Sequence, residues 1–189
     1  MERFINNWKY MFPHGKKINI LKPFFEDPNR KFSIRELSRI LKINHTTVRQ
    51  HLDKLSKENF LSVKKEGVYS FYRLVQNKKT TNLKLYYNLE KLRKSGLVEA
   101  LEKDYDLPVI VLFGSYASAT DDITSDVDLC IISEVEKKFS SEKYAKRLNR
   151  NISIHKFNKK SWEKTKKANP ELINSICNGI VLSGELEVL

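Results

Sequence analysis

The stretch that decides the fold is Val109-Ile-Val-Leu-Phe-Gly114-Ser115-Tyr-Ala117-Ser-Ala119-Thr-Asp-Asp-Ile-Thr-Ser125-Asp126-Val-Asp128-Leu-Cys-Ile-Ile132. Its first five residues are an apolar run of strand length, and the run ends at Gly114-Ser115, where the pattern predicts a short helix. Glycine lets the backbone approach a phosphate closely, and a helix N-terminus offers free N–H groups and a positive dipole end to an anion. A polar loop follows, then Asp126-Val-Asp128 enters a second apolar strand. Side chains alternate along a strand, so Asp126 and Asp128 share one face while Val127 and Leu129 point to the core. Two carboxylates one strand repeat apart are a grip for a hard divalent cation, since Mg²⁺ commonly combines one or two carboxylates with substrate phosphates. A phosphate-cradling turn beside such a pair points to phosphoryl or nucleotidyl transfer.

Working outward from this stretch, the spacing of Leu85, Leu89 and Leu92 predicts a helix from Leu83 to about Leu101 ahead of it. Behind it, Asn151–Phe157 reads as a further strand, Ser161-Trp-Glu-Lys as a capped helix start, Asn169-Pro170-Glu171 as another, and Ile180–Leu182 as a closing strand. Gln76–Asn82 is polar and reads as a linker. Upstream of it the pattern changes. A helix over about Lys16–Glu26 precedes the turn cluster Asp27-Pro28-Asn29, and Ser33-Ile-Arg-Glu36 has the form of a capping box before Ile34, Leu37, Ile40 and Leu41. Asn44 is an N-cap candidate for a helix to about Glu58 that buries Val48, Leu52 and Leu55. Strand-like residues then surround a hairpin turn at Lys64-Lys65-Glu66-Gly67. The first segment, Met1–Pro13, carries Phe4, Trp8, Tyr10 and Phe12, a set suited to packing on another domain or subunit.

Charge divides the chain the same way. The net charge of the 189 residues is +12, and residues 1–79 hold 18 Lys and Arg against 7 Asp and Glu, while residues 80–189 hold 17 against 16. General lysine enrichment would raise both parts alike, so the asymmetry points to a polyanion-binding module joined to something else. With 40% apolar residues the chain can form a core, which excludes wholesale disorder. No run approaches the roughly 20 apolar residues of a membrane helix, and MERFINNWKY lacks a signal-peptide core, so a cytoplasmic protein without membrane association is expected. Cys130 and Cys177 have no metal-like spacing and read as buried thiols. His45 and His51 lack acidic or Cys partners, so no metal site is expected there.

The order helix, short helix, turn, helix, basic hairpin over roughly residues 15–76 resembles archaeal and bacterial winged helix-turn-helix domains. The resemblance implies that the second helix of the turn motif enters the DNA major groove. Asn44, His45, Thr46, Arg49 and Gln50 would then meet base edges, and Lys54, Lys64, Lys65 and Arg73 would meet phosphate. A homodimer is the default for such a domain. The alternative is a winged helix used for protein–protein contact or dimerisation.

Residues 83–189 resemble the polymerase-beta-like nucleotidyltransferase superfamily, in particular its minimal stand-alone branch. Gly114, Ser115, Ala117, Ser125, Asp126, Asp128 and Leu129 match that signature. The resemblance implies an α/β domain with a mixed sheet, giving an α+β chain with a winged helix in residues 1–79 and the transferase in residues 80–189. It implies that Gly114 and Ser115, with Ser125 close by, hold the phosphates of an NTP, ATP being the expected one. Asp126 and Asp128 would hold Mg²⁺ or Mn²⁺. Two positions depart from the signature. Ala119 stands where the family usually has Gly. The later strand, where active members carry a third carboxylate, offers Ser153 and His155 and no acid. A His there can act as a base. Three functions stay open on these residues: a Mg²⁺-dependent transferase moving a nucleoside monophosphate onto an acceptor, a DNA-binding regulator whose transferase domain binds nucleotide or dimerises without turnover, and an antitoxin-type transferase acting on a partner toxin.

Overall fold

A computed structural model of the protein describes residues 15–186, so the aromatic segment with Phe4, Trp8, Tyr10 and Phe12 lies outside the described residues. The chain divides into two compact units, Met1–Thr80 and Thr81–Leu189.

In the first unit, α1 (Gly15–Glu26) is followed by β1 (Phe32–Ser33), α2 (Ile34–Leu41), α3 (His45–Lys57) and the hairpin β2 (Leu61–Glu66) and β3 (Tyr69–Leu74). The strands form one antiparallel sheet in the order β1-β3-β2. Ser33 starts α2 by accepting from the backbone N–H of Glu36. The Glu36 carboxylate pairs with Arg30. The helix stops at Lys42, which takes a left-handed conformation. Asn44 then caps α3, its Oδ1 accepting from Thr47 N at 2.8 Å. Val48, Leu52 and Leu55 are buried as their spacing predicts, and Leu21, Phe24 and Leu37 of the same unit are buried as well. The hairpin turn differs from expectation. It is the two-residue pair Gly67-Val68, with Glu66 opposite Tyr69, so Lys64 and Lys65 lie on β2 rather than in the turn. A two-residue loop with Gly at positive φ in its first position matches the twist of the flanking strands.

The polar run 76–82 is not a linker. Thr80 N donates to Asn77 Oδ1 and Asn77 N donates to Thr80 Oγ1, both at 3.0 Å, which makes Asn77 the cap of a helix, α4 (Lys78–Lys94). The polarity that reads as a linker is that of a helix cap and first turn. Nor does one helix run to Leu101. The Ser95 hydroxyl donates to Leu92 O and accepts from Leu97 N, and Gly96 takes φ +76°, so a separate α5 (Leu97–Asp104) begins there.

The second unit continues with β4 (Val109–Phe113), α6 (Gly114–Ser118), β5 (Val127–Ile132), α7 (Glu142–Leu148), β6 (Ile152–Phe157), α8 (Lys159–Ala168), α9 (Pro170–Cys177) and β7 (Ile180–Ser183). The sheet order is β6-β5-β4-β7, with β5 and β6 parallel and the other pairs antiparallel. The sheet is mixed, as the resemblance implies. One face, with Ile110, Leu112, Leu129 and Ile131, packs on residues of α4, α5 and α7. The other, with Val111, Phe113 and Cys130, packs on Trp162 of α8 and on Ile173 and Ile176 of α9. Helix α8 starts earlier than Ser161 because Asn158 is its N-cap and Ser161 completes the capping box. Cys130 is buried, but Cys177 is only half-buried. No helix among the described residues is long and apolar enough to cross a membrane.

Candidate functional site

The Gly114-Ser115 turn and the aspartate pair are brought together by strand register. Phe113, the last residue of β4, pairs with Asp128, and Asp128 pairs with Ser153 of the parallel strand β6. One row across three strands is therefore Phe113, Asp128, Ser153, all on the α8–α9 face. Val127 and Leu129 are fully buried on the opposite face, and Asp126 and Asp128 are half-buried. Val127 and Leu129 face the core and Asp128 does not, as alternation along the strand predicts.

The turn fits closely against Asp128. Gly114 takes φ +71°, and a β-carbon built on it would stand 2.5 Å from Asp128 Oδ2 and 3.3 Å from its carboxyl carbon. Any side chain at this position would strain the backbone and force the Asp128 carboxylate aside. Ser115 lies in the first turn of α6, partly exposed. Ala119 caps that helix at φ +57°. A left-handed conformation there gives a physical reason for the glycine that the signature usually has, since alanine in that region is strained. Ser125 is engaged within its own loop: Asp122 N donates to its Oγ at 3.0 Å, and its hydroxyl donates to Asp122 Oδ1 at 3.2 Å.

Burial pushes the Asp128 carboxyl above its ordinary range, and the negative charge of Asp126 adds to the rise, while His155 works against it. His155 pairs in register with Cys130 and shares the face of Asp128. Its ring stands edge-on to Phe113, with centroids 5.3 Å apart, and its Nε2 lies 3.3 Å from Ser153 Oγ. Asp126, Asp128, Ser153, His155 and Gly114 thus gather at one end of the sheet. Among the described residues, no group of three or more His, Cys, Asp or Glu side chains is arranged to hold a metal.

Sequence reasoning missed what holds the loop behind this site. Lys84 and Asp121 form an ion pair with side chains only 3% and 1% exposed. Lys84 also donates to the Asp121 carbonyl, and Asn88 Nδ2 donates to Asp121 Oδ1 at 2.8 Å and to Tyr116 O at 3.0 Å. These bonds tie α4 to the segment that leads from α6 to Ser125 and Asp126. The signal was available: Thr80, Lys84 and Asn88 stand at intervals of four, in line with Leu92, so a polar stripe continues a buried apolar one.

In the first unit the residues expected to meet DNA lie as follows. His45, Thr46, Arg49, Gln50 and Lys54 are exposed on α3, and Lys64 and Lys65 are exposed on β2. Asn44 is exposed, with its amide oxygen committed to the cap of α3. Arg73 is already occupied, its Nη2 donating to Asn29 O at 3.1 Å.

With this geometry in view, the comparisons with known proteins divide along the same two units. Residues 94–182 match the nucleotidyltransferase domain family, and residues 15–63 match the bacterial regulatory proteins of the ArsR family. The chain joins an ArsR-type helix-turn-helix to a nucleotidyltransferase domain. Each match lies inside one of the units that the backbone forms. No curated protein matches the chain. Among solved structures, a possible transcriptional regulator from Methanosarcina mazei Go1 is 19% identical, with 47% of this chain and 77% of that chain covered and a TM-score of 0.34. Reduced HlyU from Vibrio cholerae N16961 is 19% identical, covering 51% and 97%, with a TM-score of 0.30. Human N-acetylserotonin methyltransferase in complex with SAM is 14% identical, covering 50% and 33%, with a TM-score of 0.30. Likenesses of this size carry no argument about function.

Proposed function

We propose that the second unit binds a nucleoside triphosphate with a divalent cation and transfers its nucleoside monophosphate to an acceptor. The observation that supports this reading is the packing of Gly114 against Asp128, which makes the phosphate turn and the carboxylate pair one site. A domain with no nucleotide to hold has little physical reason to keep a half-buried carboxylate whose ionised form burial disfavours. Asp126 and Asp128 suit Mg²⁺ or Mn²⁺, because both supply hard oxygen donors on one face. Such an ion would offset negative charge building on the transferred phosphoryl group. The chain's own groups would do the rest: the N–H groups at Gly114 and Ser115 orient the phosphates, and the α6 backbone holds them against the carboxylates. ATP is the nucleotide we take as the first to test.

The first unit is proposed to bind DNA through the exposed face of α3, with Lys64 and Lys65 on phosphate, and to do so as a homodimer. The support is the ArsR-type match together with the excess of positive charge in residues 1–79.

A second reading, a regulator that binds nucleotide without turnover, is favoured by one observation: β6 carries no acid beside Asp128. Equilibrium binding of ATP with Mg²⁺ separates either reading from an inert domain. The wild type is expected to bind, and Asp126→Ala/Asp128→Ala is expected to lose at least tenfold in affinity, since two charged ligands are removed. Equal binding by the double variant would remove the site from both readings.

A further inference from the structure

We infer that Ser153 is the acceptor: the protein nucleotidylates its own Ser153 hydroxyl, with His155 taking the proton. This rests on the nucleotide-binding reading above and names the substrate of that site. Three observations carry it. Ser153 pairs in register with Asp128 across parallel strands and shares its face, so the two side chains are neighbours roughly 4.8 Å apart at the backbone. A phosphate bound at the Ser115 end of the turn, on the carboxylate face, would therefore lie on the same face as this hydroxyl. The His155 Nε2 stands 3.3 Å from Ser153 Oγ, and the ring is held by its edge contact with Phe113. A serine activated by an adjacent imidazole that a third group orients is the arrangement of a nucleophile and its base. Finally, no carboxylate on β6 is available to receive a proton from an outside acceptor, whereas Ser153 has a proton acceptor of its own.

The step balances without a further reagent. Ser153 Oγ attacks the α-phosphorus of the nucleoside triphosphate and forms the new P–O bond. The bond from the α-phosphorus to the bridging oxygen breaks, and pyrophosphate leaves with its electron pair. The hydroxyl proton passes to His155 Nε2, which must be the unprotonated nitrogen of the ring beforehand. The product is a serine phosphodiester carrying the nucleoside monophosphate.

The full-length protein would be incubated with each of the four NTPs and Mg²⁺ or Mn²⁺, then analysed by intact mass and peptide mapping. The expected result is one added nucleoside monophosphate on the peptide that contains Ser153. Ser153→Ala should lose it while keeping a wild-type circular dichroism spectrum, and Ser153→Thr, which restores a hydroxyl, should regain it. His155→Gln should slow its appearance by about 10²- to 10⁴-fold, the usual contribution of a positioned base. An adduct on another residue, or none on the wild-type protein, overturns the inference. If none forms but the protein moves nucleotide onto a different acceptor, the inference falls and the transferase reading stands. If nucleotide does not bind at all, the reading beneath it falls too.

Discussion

The Asp128 carboxylate lies against the α-carbon of Gly114, so close that a β-carbon there would stand 2.5 Å from Oδ2. The two residues are joined by the pairing of β4 with β5, in which Asp128 sits opposite Phe113, the residue before the glycine. The turn and the carboxylate therefore cannot be changed independently. Replacing Gly114 with alanine should cost about 1–2 kcal/mol for the left-handed backbone alone. It should also push the carboxylate out of place, so ATP binding should weaken beyond what lost stability explains. Thermal unfolding followed by binding to the folded variant checks both parts, and unaltered binding would show that the contact is incidental.

Asp128 should trade stability for function. Its carboxyl is raised by burial, with Asp126 adding to the effect and His155 opposing it. The folded protein then holds this proton to a higher pH than the unfolded chain does. Its effect on stability is therefore unfavourable once pH rises from the ordinary carboxylate range through the raised folded value, and absent below both. Asp128→Asn removes the ionisable group, so near neutral pH it should raise the melting temperature of the nucleotide-free protein while removing metal-dependent nucleotide binding. The stability gain should shrink in acid. A melting temperature lowered at neutral pH and unaffected by acid would contradict this.

The Lys84–Asp121 pair should behave as a buried ion pair. Lys84→Met leaves the Asp121 carboxylate without its charge partner and should cost about 3–5 kcal/mol, measured by urea unfolding. Lys84→Met/Asp121→Asn should cost less than the two single changes together, because no charge is then stranded. Strict additivity would mean that the two side chains do not interact.

Much of this site was legible in the sequence because the relevant physics is local. The strand, the Gly-Ser turn and the period-two aspartates lie within 24 residues, and strand alternation alone assigns Asp126 and Asp128 to one face. Val48, Leu52 and Leu55 were equally legible, since helical periodicity fixes their face. What escaped depends on distant partners. Lys84 and Asp121 are far apart in sequence, and nothing local says that a lysine on α4 is buried. Gln76–Asn82 misled because a polar cap and a polar linker have the same composition, and only the reciprocal bonds of Asn77 and Thr80 distinguish them. The helix break at Ser95-Gly96 is marked by a turn-forming dipeptide, but the apolar period running through it masked that signal.

The face of α3 and β2 should bind DNA through phosphate charge. Affinity should fall steeply with salt, and each of Lys64→Ala and Lys65→Ala should reduce the slope of log affinity against log salt by about one. Arg49→Ala should weaken binding more for some sequences than for others if Arg49 reads bases. Binding that does not respond to salt would contradict an electrostatic interface.

The central claim is tested most directly by the fate of the α-phosphate. Full-length protein is incubated with ATP labelled at either the α- or the γ-phosphate, with Mg²⁺ or Mn²⁺, in the presence and absence of cell extract. The α-label should become covalently attached to protein or another acceptor, the γ-label should leave as pyrophosphate, and Asp126→Ala/Asp128→Ala should abolish the transfer. Attachment of the γ-label instead, no attachment of either, or equal transfer by the double variant would contradict nucleotidyl transfer at Gly114-Ser115 and Asp126/Asp128.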